Sequence, residues 1–190
     1  MNFRVYILIL LIMLVSCTES KYSKLVKTEM SKNIVYDSLL FGMKFGDSKQ
    51  DFYDKCWKLN NEGIIMQGPS NEFVRYDLPI KEGDSSTYAI TMLFYGIFDE
   101  EKIMTGMDLS FSYIAWSLWN KSLHADKLLP IIKDSLQSWY PGNDFIQVRL
   151  EKTKKDIFVK VDGNRRIIIE PLSNNKDVNA RIDDLRYILD

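Results

Sequence analysis

The 190 residues carry 25 basic and 26 acidic side chains, a net charge of −1, and this near balance argues against a nucleic-acid partner, which needs a concentrated basic surface. The length holds one ordinary domain or two small ones sharing a sheet, with a core large enough to fold without disulfide staples. An aromatic content of 13%, with 10 Tyr, 10 Phe and 4 Trp, suits a sheet with packed faces.

Met1 to Arg4 precede an uncharged run from Val5 to Val15 that ends on Ser16 and Cys17. A membrane-spanning helix needs about 20 apolar residues, so the run is too short for a permanent anchor and has the layout of a signal peptide over residues 1–16. Leu14, Val15, Ser16 and Cys17 resemble the lipobox of bacterial lipoproteins, in which a Leu and a small residue precede the cysteine that receives a diacylglyceryl group. The resemblance implies cleavage before Cys17 and lipid on its sulfur. Removing residues 1–16 from 190 leaves 174, with 24 basic against 26 acidic side chains. An ordinary secretory leader is the alternative, and it leaves Cys17 without a use. Thr18 stands where an Asp commonly retains lipoproteins in an inner membrane, so the resemblance implies an outer membrane, with either leaflet open. The first partner implied is thus a membrane, held through acyl chains that contribute roughly 0.8 kcal/mol per buried methylene.

Residues 17–35 are polar, with Lys21, Lys24, Lys27 and Lys32, and read as a flexible lipidated tether spanning on the order of 20–25 Å. A weak contact of these lysines with anionic lipid is the other use for them. Residues 36–190 form the folded part. Gly42 and Gly46 mark turns, Ser48 with Asp51 fits a capping box, and Phe52, Cys56 and Leu59 recur at helical spacing, predicting a helix from Ser48 to Leu59. After Gly63 the period becomes two: Ile64–Met66 and Phe73–Leu78 are short strand candidates, and residues 88–98 and 103–113 form a hairpin around the charged turn 99–102. Leu109, Phe111 and Tyr113 alternate there with Asp108, Ser110 and Ser112.

Residues 114–123 fit neither period. A second helix is predicted over Ala125–Trp139, with Leu128, Ile132, Leu136 and Trp139 on one core-facing stripe and Pro130 close to its start, either in the first turn or kinking it. Four strands follow, over 145–151, 156–161, 165–171 and 178–188, the middle pair joined through Asp162 and Gly163. The expected class is α+β: two layers, helices packed on an antiparallel sheet, with helix-then-strands occurring twice at an offset of roughly 75 residues. The halves would be subdomains 36–114 and 115–190.

Residues 42–52, GMKFGDSKQDF, resemble the turn-to-helix segment of the beta-lactamase-inhibitor-protein-like folds, which include small lipoproteins of outer-membrane assembly. Gly42, Met43, Ser48 and Phe52 carry the likeness. It implies a binding or scaffolding protein that presents a sheet face to partner proteins, although fold alone does not fix function.

Residue chemistry is sparse. With Cys17 acylated, Cys56 has no disulfide partner, and a buried apolar role is expected over a reactive thiol. His124 beside Asp126 has the elements of a base held by a carboxylate but lacks an apparent nucleophile, so a solvated position near a helix end is expected. Asp99, Glu100 and Glu101 read as a charged turn and Asp183 and Asp184 as a wet strand edge, since neither group has calcium-loop spacing. No motif calls for a metal or a cofactor. Tyr113, Trp116 and Trp119 are the expected contact residues, because the two tryptophans lie where neither helical nor strand packing accounts for them. The function expected is therefore non-catalytic: a lipid-anchored module holding another envelope protein, with glycan binding as the alternative and a hydrolase using His124 or Cys56 as the third.

Overall fold

The structure is a computed structural model that describes residues 20–80 and 85–189; the leader, Cys17 and the expected cleavage site lie outside the described residues. Eight strands make one sheet: β1 Met66–Gln67, β2 Val74–Asp77, β3 Ile90–Phe98, β4 Met104–Tyr113, β5 Ile146–Arg149, β6 Asp156–Asp162, β7 Arg165–Ile169 and β8 Val178–Asp184. Their order is β1-β2-β3-β4-β8-β7-β6-β5, and every neighbouring pair is antiparallel. Three α-helices join them among the described residues: α1 Lys21–Ser31, α2 Lys49–Asn61 and α3 Ala125–Trp139. The protein is therefore mixed α+β with an antiparallel sheet, as its periodicities imply.

Local chemistry explains where the elements start and stop. Ser48 caps α2 through a reciprocal pair: Asp51 N–H donates to Ser48 Oγ (3.1 Å) and Ser48 N–H to the Asp51 carboxylate (3.0 Å). Along β4, Leu109, Phe111 and Tyr113 are buried while Asp108 is exposed, as alternation requires. The charged turn 99–102 closes with Ile103 N–H donating to Asp99 Oδ1. At the β6–β7 hairpin Asp162 pairs with Arg165, so the two loop residues are Gly163 and Asn164, one position later than the sequence implies. Gly163 takes a φ of +53°, which its missing side chain permits.

Helix α3 crosses the middle of the sheet against β4 and β8, burying Leu128, Ile132 and Leu136 completely. Each such side chain contributes about 2 kcal/mol by leaving water. Trp139 departs from the expected core stripe and stays 36% exposed with its ring centroid 6.3 Å from that of Phe111. Three residues beyond Leu136 it has turned about 60° off the stripe and faces a hollow instead of the sheet. Pro130 is the sixth residue of α3, past the first turn, where its missing N–H leaves the Asp126 carbonyl without the usual helical donor. Helix α2 sits differently. Phe52 meets Phe94, Tyr95 and Phe98 at 5.4–6.5 Å. Consecutive strand residues point to opposite faces, so α2 packs over the edge of β3 beyond Phe94, where β2 ends.

The segment expected to be a coil tether is the largest correction. Lys21–Ser31 is helical, capped by Ser20 Oγ accepting from Ser23 N–H (3.0 Å), and Val26 packs with Tyr22, Leu25 and Met30 on Ile157, Val159, Val161 and Leu185. These three β6 residues alternate with Phe158, which faces the main core, so α1 lies on the sheet face opposite α3. Its inward face includes buried Glu29, whose carboxylate accepts from Lys32 Nζ (2.6 Å) and Gly163 N–H (3.2 Å). A charged residue at an inward position broke the apolar period and hid the helix.

Asp183 and Asp184 correct a second expectation. They are buried, not wet: Asp183 accepts from Arg166 (2.7 Å) and Arg181 (2.6 Å), and Asp184 from Arg186 (2.5 Å), which also reaches Asp37 (2.6 Å). Lys160, likewise fully buried, pairs with Asp162 at 3.0 Å and donates to the carbonyl of Asn143. Paired charges of this kind hold only while both partners remain.

Candidate functional site

Between the sheet and α3 lies an apolar cleft of about 660 Å³. Its base comes from Tyr76 on β2, Ile90 and Met92 on β3 and Tyr113 on β4; α3 supplies Ile131, Ser135 and Trp139 along one wall. Those three are spaced by four, so they form a single ridge of the helix beside the buried Leu128–Leu136 stripe. The other sides come from Leu40 and Phe41 and from the β2–β3 connection, Leu78 to Ile80 and Tyr88. No charged side chain among the described residues lines it.

Phe41 is placed at a backbone cost. It has a φ of +56°, a conformation that disfavours a bulky side chain, within a 3-10 turn closed by Gly42 at +69°. The turn sets its ring 5.2 Å from Phe94 and 5.0 Å edge-on to Tyr76. Gly42 and Met43, which drew attention as a turn in the sequence, therefore shape one end of the cleft. Tyr113 is only 3% exposed, its ring 6.2 Å from that of Tyr88, and burial, with the neighbouring Tyr88, raises its phenol pKa.

The three contact residues expected from sequence do not form one site. Tyr113 lies in the cleft. Trp116 is half-buried and tied down, its indole N–H donating to the Asn175 carbonyl (3.1 Å), with Lys176 5.9 Å above its ring and His124 6.4 Å away. Trp119 is 88% exposed. Between them the chain turns, with Trp116 N–H donating to the Tyr113 carbonyl.

His124 precedes α3 and its Nε2 lies 3.3 Å from the Leu118 carbonyl, while Asp126 pairs with Lys127 (3.1 Å). Cys56 is half-buried beside Phe52 and Trp57, and burial pushes its thiol up to about 11, away from a nucleophilic thiolate. Sequence reading missed Phe41, Tyr76, Tyr88 and Ile131 as site residues. The available signal was the width of the α3 stripe, where Ile131 and Trp139 make the apolar face broader than the core uses.

An α+β protein with an uncharged apolar cleft between its sheet and one helix is what fold and site define. Comparison of the chain with family models, with curated proteins and with solved structures returns no match. No helix among the described residues is long and apolar enough to cross a membrane.

Proposed function

We propose that the chain is a lipoprotein of the outer membrane, anchored through Cys17, that works as a non-catalytic binding module and holds apolar side chains of another envelope protein in the cleft. One observation carries the binding role: about 660 Å³ of apolar space whose described wall bears no charge. An ion placed there without a counter-charge would lose its hydration uncompensated, so the occupant's buried part is apolar and neutral. The lip argues for a macromolecule. Ile80, Tyr88, Ile131 and Trp139 remain 36–49% exposed around the opening, a rim that a protein surface covers and a small enclosed ligand leaves wet.

The same reading takes the architecture as two layers built from two helix-then-four-strands units, α2 with β1–β4 and α3 with β5–β8, as in the beta-lactamase-inhibitor-protein-like folds. It is supported by the element order and by β4 and β8, the last strand of each unit, lying side by side. A second reading, glycan binding, draws on Trp119 and Trp57, which are 88% and 71% exposed and present flat faces for sugar rings. A glycan panel that quenches tryptophan fluorescence in the wild type but not in Trp119→Ala would favour it.

The test of the first reading is photocrosslinking in cells with benzoylphenylalanine at Ile131. One envelope protein is expected in the adduct, absent when Ser135→Trp fills the cleft in the same chain. An adduct that persists unchanged in the filled variant contradicts the cleft as the binding site.

A further inference from the structure

Resting on the lipoprotein reading above, we propose that the outer face of α1 is a membrane seat: its lysines lie against anionic lipid headgroups and fix how the domain stands on the bilayer. The helix is docked, not loose, and it begins three residues after Cys17, at the Ser20 cap. Three residues reach at most about 11 Å, so a lipid on Cys17 holds the first turn of α1 within about one Debye length of the headgroups. The outward side of that turn is then within reach of the bilayer surface.

That face is cationic. At 100° per residue, Val26, Glu29 and Tyr22 cluster on one side of the helix and Lys24 and Lys27 on the diametrically opposite side, with Lys21 at its flank. Lys21, Lys24 and Lys27 are all exposed. The single carboxylate of α1, Glu29, is turned inward and buried against Gly163 and Lys32, so the outward side of this helix carries no negative charge of its own. Three of the four lysines that look scattered along a coil, Lys21, Lys24 and Lys27, thus become a one-sided basic strip, complementary to an anionic surface, while Lys32 turns back to Glu29.

The seat orients the site. Because α1 and α3 lie on opposite faces of the sheet, seating α1 on lipid turns the cleft beside α3 toward the aqueous phase, where a partner protein can reach it.

The experiment uses the full chain, matured in a bacterial host, purified in detergent and reconstituted into phosphatidylethanolamine–phosphatidylglycerol vesicles. Brief lysine acetylation is read by peptide mass, together with the mass of the amino-terminal peptide. Lys21 and Lys24 are expected to react about fivefold more slowly on these vesicles than in detergent, the factor that about 1 kcal/mol per lysine at an anionic surface represents. Lys58 on α2, whose side chain is 73% exposed, is expected to be unchanged. Acylated Cys17 with Lys21 and Lys24 as reactive as in detergent overturns the seat and leaves the lipoprotein reading standing. Equal protection on phosphatidylcholine vesicles overturns the anionic-lipid contact. An unmodified Cys17 overturns the anchor and the seat together.

Discussion

Gly163 lies directly beneath the backbone carbonyl of Ile34, so closely that a first side-chain carbon at position 163 would overlap that oxygen. This contact, with Tyr36 N–H donating to Asn164 Oδ1 (2.6 Å), clasps the segment following α1 onto the β6–β7 turn. Gly163→Ala adds a side chain at a φ of +53° and pushes the segment around Ile34 off its seat. A loss of about 2 kcal/mol in unfolding free energy is expected from the left-handed backbone and the overlap together. Hydrogen exchange checks the mechanism, since amides of residues 21–38 should exchange faster in the variant while those of α3 change less.

Acid should release α1 through Glu29. Burial by itself raises the pKa of this carboxyl, but hydrogen bonds from Lys32, Asn143 and Gly163 N–H and the Lys32 charge outweigh it and hold it below the ordinary 4.5. A depressed folded value means that the stabilisation is complete above the ordinary value and is lost as pH falls through the folded one. Protection of α1 amides should therefore decline below about pH 4.5, and Glu29→Gln should flatten that decline at the expense of lower stability at neutral pH. An unchanged acid profile in the variant would assign the release to other groups.

Trp116 and Trp119 differ in kind although three positions apart. Trp116→Ala removes the hydrogen bond to Asn175 and the tilted ring contact with His124, and about 1–2 kcal/mol of stability is expected to go with them. Trp119→Ala removes an 88% exposed ring and should stay within about 0.5 kcal/mol of the wild type. Urea denaturation of both variants measures the contrast.

Cys56 should be a slow thiol. Burial moves it from 9.0 to about 11, which at pH 8 leaves about a hundredfold less thiolate than an open cysteine has. Iodoacetamide should modify it about a hundredfold faster in urea than in the folded chain, and equal rates would refute its burial.

Elements whose ends are written in local chemistry are legible in the sequence alone. The capping box at Ser48, the strict alternation through Leu109–Tyr113 and the stripe from Leu128 to Leu136 place α2, β4 and α3 close to their observed bounds. What stayed hidden depends on distant partners. Helix α1 buries a glutamate whose partner, Gly163, is 134 residues away. Asp183 reads as solvated because no local signal announces Arg166 across the β7–β8 pair. The cleft draws residues from four separate stretches, 40–41, 76–92, 113 and 131–139, and no single stretch has a pattern that marks it. Tyr113, an expected contact residue, reaches the cleft by the alternation of β4 that also buries Leu109 and Phe111.

Direct occupancy of the cleft is the measurement to make first: fluorescence titration with N-phenyl-1-naphthylamine, an uncharged apolar probe, using energy transfer from Trp139 at the lip as the signal. Saturable binding in the wild type, abolished by Ser135→Trp and unaffected by Trp119→Ala, is the outcome expected of an open apolar site. Absence of binding in the wild type, or equal binding in the filled variant, would contradict it.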